Sequence, residues 1–179
     1  MKLAIIGLSL AIALASATPA LANRAPATLT PGSAIVTPMH MQFFCRQNPM
    51  ECRATKDASI KLTDEMLRTL QKVNVAVNNA IRPQPNPPGG WKVNPSSGDC
   101  NDYVLSKRSQ LIKMGVPAGA LRFAVTKTWR GESHAVLLVK TSAGEIVLDN
   151  LNNQVKTLKQ SGYSIRMMAG ANPLRWVAG

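Results

Sequence analysis

The sequence predicts an α+β domain in which helices pack against an antiparallel β-sheet. Two segments in the middle of the chain have the apolar spacing of amphipathic helices, and the last third carries short apolar runs separated by turn residues. The chain has 179 residues, of which 45% are hydrophobic, so it can bury one core of ordinary size. No internal period or long heptad run is present, which argues against a repeat array or a coiled coil.

The N-terminus is predicted to be a secretory signal peptide, residues 1–22. Lys2 precedes an apolar run at 3–15, and small residues then lead to an Ala-x-Ala cleavage site at 20–22. The apolar run is too short to span a bilayer. Cleavage after this site leaves 157 residues, and we expect a periplasmic or secreted protein without a transmembrane segment.

The charge of the chain is strongly positive, with 21 Lys and Arg against 9 Asp and Glu. The basic residues are spread along the chain, which favours a solvated basic surface; attraction to an acidic partner outside the cytoplasm is the alternative. Aromatic residues make up only 4% of the chain, and none of them forms a base-stacking motif. Together with the export signal, this argues against nucleic acid as a partner.

Residues 23–42 are predicted to be an extended N-terminal segment because they are rich in Ala, Pro, Thr and Ser, and the folded domain is predicted to occupy 43–179. Cys45 and Cys52 enclose an Asn-Pro turn signal, so a local disulfide is expected in an oxidising compartment; two separate buried thiols are the alternative. The chain has three cysteines, so Cys100 is left over, either inert and buried or reactive.

Two helices are predicted before the strands. The first begins after Thr63 as N-cap and ends before Pro83; the second begins after Asp99 as N-cap and ends at Met114, before Gly115. The first helix has its apolar residues at steps of one, three and four, at Met66, Leu67, Leu70, Val73, Val77 and Ile81.

A proline-rich loop, residues 82–98, joins the two helices. It is too long for a plain connection, so we expect it to shape a site. Trp91 lies in its middle, where an exposed ring would contact substrate and a buried ring would hold the loop against the core.

The last third of the chain is predicted to be an antiparallel meander. Strands are expected at 121–129, 133–141 and 146–149, with a turn at 142–145. A further strand is expected within 163–168.

Three residues form a candidate catalytic group: Cys100, His134 and Asp149. Cys100 falls in the first turn of the second helix, where free N–H groups and the helix dipole stabilise a thiolate, the nucleophile of a cysteine hydrolase. His134 lies near the start of a strong strand, and Asp149 ends the returning strand, where a carboxylate can orient the imidazole.

The hairpin turn decides whether the last two residues meet. Pairing about residues 143 and 144 places Asp149 on the same face as His134 but four residues along the strand, and a register shift of two brings it closer. Each residue also has a plain structural interpretation: a buried thiol, a locally satisfied histidine, and an aspartate that ends a strand.

The chain resembles the bacterial transglutaminase-like cysteine proteinases, the family that contains the LapG-type periplasmic proteases. The resemblance covers about residues 43–176. It rests on these segments: Phe44-Cys45, Asn48-Pro49, Cys52, Val73-Asn74, Val77-Asn78, Trp91, Gly98-Asp99-Cys100-Asn101-Asp102-Tyr103, Lys107, Ser133-His134-Ala135-Val136-Leu137 and Leu148-Asp149-Asn150.

The resemblance implies a papain-like, transglutaminase-like fold with Cys100 as nucleophile, His134 as general base and Asp149 as the orienting group. It implies hydrolysis of amide bonds in a protein substrate, and no cofactor for that chemistry. It also implies that Asp99 and Asn101 are candidate ligands of a calcium ion. Asn101 stands where the family has a Glu, so this pair offers the ion less negative charge.

Two further matters stay open in the sequence. The backbone N–H of Cys100 is one expected oxyanion donor, and Asn94 is a second candidate by position alone. The favoured function is an exported cysteine endopeptidase; the alternatives are a transglutaminase or cell-wall amidase on the same residues, or a non-catalytic basic binding module.

Overall fold

The sheet dominates the structure, a computed structural model that describes residues 32–56, 58–87 and 90–179. The predicted signal peptide at 1–22 and the next residues, 23–31, lie outside the described part. The strands are β1 (Ala34–Ile35), β2 (Arg82–Pro83), β3 (Ser97–Gly98), β4 (Leu121–Lys127), β5 (Ser133–Thr141), β6 (Gly144–Leu148), β7 (Lys156–Thr157), β8 (Met167–Ala169) and β9 (Trp176–Ala178).

Seven of these strands form one antiparallel sheet in the order β1-β9-β8-β4-β5-β6-β7. The remaining two, β2 and β3, pair in parallel. The helices are α1 (Met39–Gln47), α2 (Asp64–Ala80), α3 (Cys100–Lys113) and α4 (Leu158–Ser161), with 3₁₀ turns at Pro49–Cys52 and Ala118–Ala120. The predicted α+β class is therefore confirmed.

Each face of the sheet has its own apolar core. The helical face buries alternate residues of β5 (Leu137 and Val139) against α2 and α3. The opposite face buries the alternating residues of β5, Val136 and Leu138, against Ile165 and its neighbours. The α3 helix is buried over all of residues 102–109, so it lies inside the molecule rather than on its surface.

The N-terminal segment differs from its prediction. Residues 34–35 join the sheet through β9, and the chain is helical rather than extended from Met39 onward. The helix forms because Met41, Phe44 and Cys45 recur at steps of three and one and are all buried. The folded domain therefore includes part of the segment that the sequence assigned to an extended arm.

The predicted disulfide is present between Cys45 in α1 and Cys52 in the following 3₁₀ turn. The turn that it closes carries Glu51, whose carboxylate accepts a hydrogen bond of 2.6 Å from Ser109 Oγ and lies 3.6 Å from the Arg108 guanidinium. Burial lowers the pKa of Arg108 to about 10, and the charge of Glu51 opposes that shift. The disulfide thus helps to anchor the helix on which the candidate nucleophile lies.

The proline-rich loop is held in place by an aromatic stack. Trp91 is half-buried, with its ring 5.1 Å from Phe123 on one side and 5.6 Å from His40 on the other. Of the two roles considered for Trp91, the structure supports attachment of the loop to the core.

The β5–β6 hairpin has a different register from the one predicted. Thr141 pairs with Gly144, which has a φ of 98°, so the turn has two residues and Leu137 faces Leu148. Asp149 then comes opposite Val136, two residues from His134 rather than four. The sequence analysis was wrong by two positions, because it did not assign the left-handed turn position to Gly144.

Candidate active site

Cys100 is the first residue of α3, and its thiol is free and half-exposed. Asp99 caps the helix: its Oδ1 accepts a hydrogen bond of 2.9 Å from the Asn101 backbone N–H. The cap fixes the direction of the helix axis, so that the positive end of its dipole points toward the sulfur.

Asp102 joins the proline-rich loop to α3. Its fully buried carboxylate accepts hydrogen bonds from Asn86 Nδ2 (2.6 Å), Lys92 N (2.7 Å) and Asp99 N (3.1 Å). Burial raises the pKa of Asp102, and these hydrogen bonds oppose the rise. Gly98 packs so closely that a Cβ at this position would overlap the Asp102 carboxylate, so the position requires glycine.

His134 and Asp149 form a buried pair. His134 Nε2 lies 2.8 Å from Asp149 Oδ1, and each side chain is exposed by less than a tenth. The Cys100 side chain also interacts with the imidazole and contributes to the rise of its pKa. Because Nε2 faces Asp149, Nδ1 is the ring nitrogen left for the thiol. The three residues predicted from the sequence therefore lie together, in the order thiol, imidazole, carboxylate.

The electrostatics of the pair favour the imidazolium. Burial alone would lower the pKa of His134, but hydrogen bonds and charge interactions with Asp149 and Cys100 outweigh it and raise the pKa to about 9. Burial would likewise raise the pKa of Asp149, but its hydrogen bonds to His134 and Tyr163 leave it lowered. An ionised carboxylate thus faces a protonated imidazole at neutral pH.

Tyr163 is a site residue that the sequence analysis did not identify. Its hydroxyl donates a 2.7 Å hydrogen bond to Asp149 Oδ2, while the Leu151 backbone N–H donates to Oδ1 at 3.0 Å. Burial and the Asp149 carboxylate both raise the pKa of the Tyr163 phenol, so the hydroxyl stays protonated and able to donate. Tyr163 and Leu151 hold the carboxylate from the sides that His134 leaves free.

Side-chain amides of α2 position the loop after Asp149. Asn78 Nδ2 donates to the Asp149 carbonyl at 2.9 Å, and Asn74 Nδ2 donates to the carbonyls of Asn152 (2.8 Å) and Asn153 (3.0 Å). These bonds explain why asparagines follow valines on this helix. The valines pack in the apolar core, and the asparagines hydrogen-bond to the loop. The asparagines of the Val-Asn repeat thus hold the loop that follows Asp149 against α2.

Lys107 lies under the site on α3 and is 1% exposed. Burial lowers its pKa to about 7, and the Asp149 charge opposes the fall. Its Nζ lies 5.8 Å from the centre of the Tyr103 ring. Lys107 thus lies close enough to Asp149 for the two charges to interact.

A cleft of about 620 Å³ opens over the thiol. Cys100, His134 and Asn150 line it, together with Gln84 from the proline-rich loop. Gln84 reaches this position because β2 and β3 pair in parallel and its N–H donates to the Gly98 carbonyl at 2.9 Å. No local feature of the sequence indicates this contact.

Asn94 does not line the cleft, and its prediction as an oxyanion donor is corrected here. The residue is exposed at a left-handed turn with a φ of 52°. Its backbone N–H donates instead to Ser106 Oγ at 2.7 Å, on the flank of α3 rather than at its end. Distance along the sequence was a poor guide because the loop folds back along the helix.

Known proteins resemble this chain in sequence family and in fold. Residues 32–178 match the family described as bacterial transglutaminase-like cysteine proteinase, BTLCP. Among curated proteins, none matches the chain.

Three solved structures of LapG from Legionella pneumophila are similar to it. The calcium-bound form gives a TM-score of 0.53 with 20% identity, over 73% of this chain and 75% of that one. LapG itself gives 0.51 with 19% identity over 78% and 85%, and the EGTA-treated form gives 0.51 with 18% identity over 84% and 88%. At these identities the likeness shows the fold, and it confirms the predicted transglutaminase-like class.

The described residues do not fit a calcium site at Asp99 and Asn101. Asp99 Oδ1 already accepts from the Asn101 backbone and, at 3.0 Å, from Asn101 Nδ2, so the amide acts as a donor. Both oxygens of Asp102 are used by N–H donors. These bonds leave only Asp99 Oδ2 and Asn101 Oδ1 of the predicted pair, whereas calcium takes six to eight oxygens. Within 32–56, 58–87 and 90–179, Asp99 belongs to no group of three or more His, Cys, Asp or Glu side chains that could hold a metal.

We expect calcium to leave the melting temperature of the mature protein unchanged. The measurement is differential scanning fluorimetry with excess calcium and with EGTA, since a site filled at a hundred times its Kd would raise the melting temperature by about 5 to 10 °C. A rise with calcium that disappears in Asn101→Ala would contradict this expectation.

Within the described part of the chain, no helix has the length and hydropathy that a membrane span requires.

Proposed function

Because this chain belongs to the bacterial transglutaminase-like cysteine proteinases, which are cysteine peptidases, we propose that it is an exported endopeptidase acting through Cys100, His134 and Asp149. The observation that carries the proposal is the His134–Asp149 pair at 2.8 Å, with its second ring nitrogen left for the thiol at the start of α3. The substrate is proposed to be a protein of the periplasm or the cell surface.

The proposed reaction begins with the thiolate and the imidazolium. Cys100 Sγ attacks the carbonyl carbon of the scissile peptide and forms a C–S bond. The proton on His134 Nδ1 passes to the leaving nitrogen as the C–N bond breaks, which leaves an acyl-enzyme and a free amine. His134 then takes a proton from water, the hydroxide displaces the sulfur, and the acid product departs. Asp149 keeps the imidazole in the tautomer that both steps need.

Two donors are proposed for the oxyanion. The Cys100 backbone N–H lies at the helix start, where such groups have no partner in the preceding turn. The Gln84 side chain lines the same cleft and takes the role that the sequence analysis gave to Asn94. The thiol, the imidazole and these donors supply every group that the reaction uses, so we propose that the chemistry needs no cofactor.

The proposed location rests on the signal peptide expected at 1–22. The Cys45–Cys52 disulfide is in accord with an oxidising compartment. A protein exported in this way meets protein substrates in the periplasm or on the cell surface.

The alkylation rate of Cys100 tests the proposal directly. Iodoacetamide modifies one thiol in the oxidised mature protein, because the other two cysteines form the disulfide. We expect wild-type protein at about pH 6 to react on the order of tenfold faster than His134→Ala, because the imidazolium holds the sulfur as a thiolate. The variant should react only as the pH approaches the range of an ordinary free thiol.

The matched control is His40→Ala. His40 is the only other histidine of the chain, and its ring stacks on Trp91 away from the cleft, so its loss should leave the profile unchanged. Equal rates at low pH for wild type and His134→Ala would mean that no ion pair exists, and the binding-module interpretation would replace the endopeptidase.

A further inference from the structure

A second cleft, of about 680 Å³, lies next to the candidate active site. We call it the Trp129 cleft; its walls are the end of β4 and the segment after α4, with Thr126, Lys127, Trp129, Leu151, Tyr163 and Arg166 among its lining residues. Its size falls within the range of ligand-binding pockets. Asp149 also lines it, so the Trp129 cleft adjoins the His134–Asp149 pair.

The position of the Trp129 cleft relates it to one side of the scissile bond. His134 lies between Cys100 and Asp149, and its Nε2 points toward the carboxylate at 2.8 Å. In the proposed reaction the imidazolium gives its proton to the leaving amine, so the substrate chain after the scissile bond must run over the imidazole. The two clefts adjoin there: Ser133 lines the first cleft and its β4 partner Lys127 lines the Trp129 cleft. Likewise, Asn150 lines the first cleft and the next residue, Leu151, lines the Trp129 cleft.

The cleft presents positive charge without a matching carboxylate. Lys127 and Arg166 are both exposed, and no ion pair within the described ranges includes either of them. The Asp149 charge is already balanced by the His134 imidazolium, and its oxygens hold the bonds from His134, Tyr163 and Leu151, so it is not available to pair with these cations. The nearest acidic residue of the β4–β5 turn, Glu132, does not line the cleft and is directed to the Thr128 hydroxyl at 3.5 Å.

The rim of the cleft carries an unusually exposed aromatic ring. Trp129 is 88% exposed, and the Arg130 guanidinium lies 4.8 Å from the centre of its ring. Leu151, on the opposite wall, is 62% exposed. Neither side chain contributes to the core, whereas exposed Trp and Arg next to a cleft are the residue types that dominate binding surfaces.

We propose that the Trp129 cleft binds the substrate residues that follow the scissile bond and selects acidic side chains among them. The inference rests on the proposed endopeptidase function, and it specifies the class of substrate. Lys127 and Arg166 would pair with the carboxylates, and Trp129 would cover the bound chain. These residues set specificity and take no part in bond cleavage.

The test compares cleavage of a bacterial proteome-derived peptide library by the mature protein and by a charge-reversed form, Lys127→Glu with Arg166→Glu. Mass spectrometry of the products should show Asp and Glu enriched in the first positions after the cleaved bond. For matched peptides with Asp or Lys there, we expect kcat/KM to differ by about two- to fivefold per charge pair, and the reversed form to invert the preference. The control is Arg68→Glu with Lys72→Glu on the exposed face of α2, which changes the net charge equally and should leave the preference intact.

A binding measurement on Cys100→Ala separates this inference from the proposed function. Fluorescence polarisation with labelled Asp-rich and Lys-rich peptides needs no turnover, and the acidic peptide should bind more tightly, with the difference lost in the reversed form and in Trp129→Ala. Cleavage without charge preference would overturn the inference alone. If no peptide is cleaved, the proposed function fails, and binding that ignores peptide charge would then overturn the inference as well. Adhesion to phosphatidylglycerol vesicles through the same cations, without discrimination between the peptides, would also overturn it.

Discussion

Cys100→Ala is expected to reduce peptide-bond hydrolysis on the order of a millionfold, to background, while the protein keeps its fold. Removal of a nucleophile causes losses of this size in hydrolases that work through an acyl-enzyme. The thiol is half-exposed, and the other two cysteines are joined to each other, so no second sulfur can take over. The cap by Asp99 and the contacts of Asp102 do not involve the sulfur and should survive the change.

The measurement is turnover of a cleaved peptide from the library, together with the melting temperature of each variant. Cys100→Ser is the matched control, because it places a hydroxyl group of similar size at the helix start in place of the thiol. A melting temperature close to wild type with no turnover would support the role of nucleophile. Retained turnover in Cys100→Ala would end the endopeptidase hypothesis.

Asp149→Ala is expected to lower kcat on the order of 10⁴-fold, as loss of the orienting carboxylate does in a comparable triad. The change leaves His134 Nε2 buried without its partner and also removes the acceptor of Tyr163. Asp149→Asn is the informative comparison, because the amide oxygen can still accept from Nε2 while the charge is lost. A much smaller loss in Asp149→Asn would assign the effect of Asp149 to orientation, and an equal loss would assign it to charge. Full activity in Asp149→Ala would exclude the residue from the proposed group.

The dependence of activity on pH in the wild type and the Asp149 variants tests whether the Asp149 carboxylate raises the pKa of His134. The imidazolium must protonate the leaving amine, so activity should fall as the pH rises through the His134 pKa of about 9. Without the carboxylate, the lowering effect of burial is less opposed, and this alkaline limb should move to lower pH. The raised pKa also stabilises the fold: the contribution is fully present below the unfolded value of 6.5 and is lost as the pH rises through about 9. The melting temperature of Asp149→Ala should therefore depend less on pH in this window.

Local sequence predicted the structure correctly where the residues that form an element lie within one short segment, as in a capped helix. The predicted N-caps Thr63 and Asp99 both accept hydrogen bonds at the starts of α2 and α3, and β5 has the predicted bounds. The short β4 was predicted two residues too long, because Gly131, with a φ of 81°, closes a turn that begins at Thr128. Predictions failed mainly where glycine sets a turn or where a short apolar helix lies among polar residues.

Contacts between distant segments were beyond local reasoning. Cys100, His134 and Asp149 were predicted because each has a characteristic neighbourhood in sequence, such as a helix start or a strand end. Tyr163 and Gln84 have none: the first meets Asp149 across the sheet face, and the second depends on a parallel pairing of two-residue strands. Tertiary hydrogen bonds and strand pairing bring these two residues to the site, and no sequence spacing predicts them.

The burial of α3 has a consequence for motion. Residues 102–109 are enclosed by α2, the sheet and the disulfide turn, so their amides should exchange with solvent only when the whole domain unfolds. Exchange should be far faster in the β4–β5 turn, where Trp129 has no core contact. The candidate nucleophile thus lies at the start of a deeply buried helix, while the surface proposed to choose the substrate is exposed. Substitutions at the rim of the Trp129 cleft should therefore alter substrate selectivity without disturbing the packing of α3, which positions Cys100.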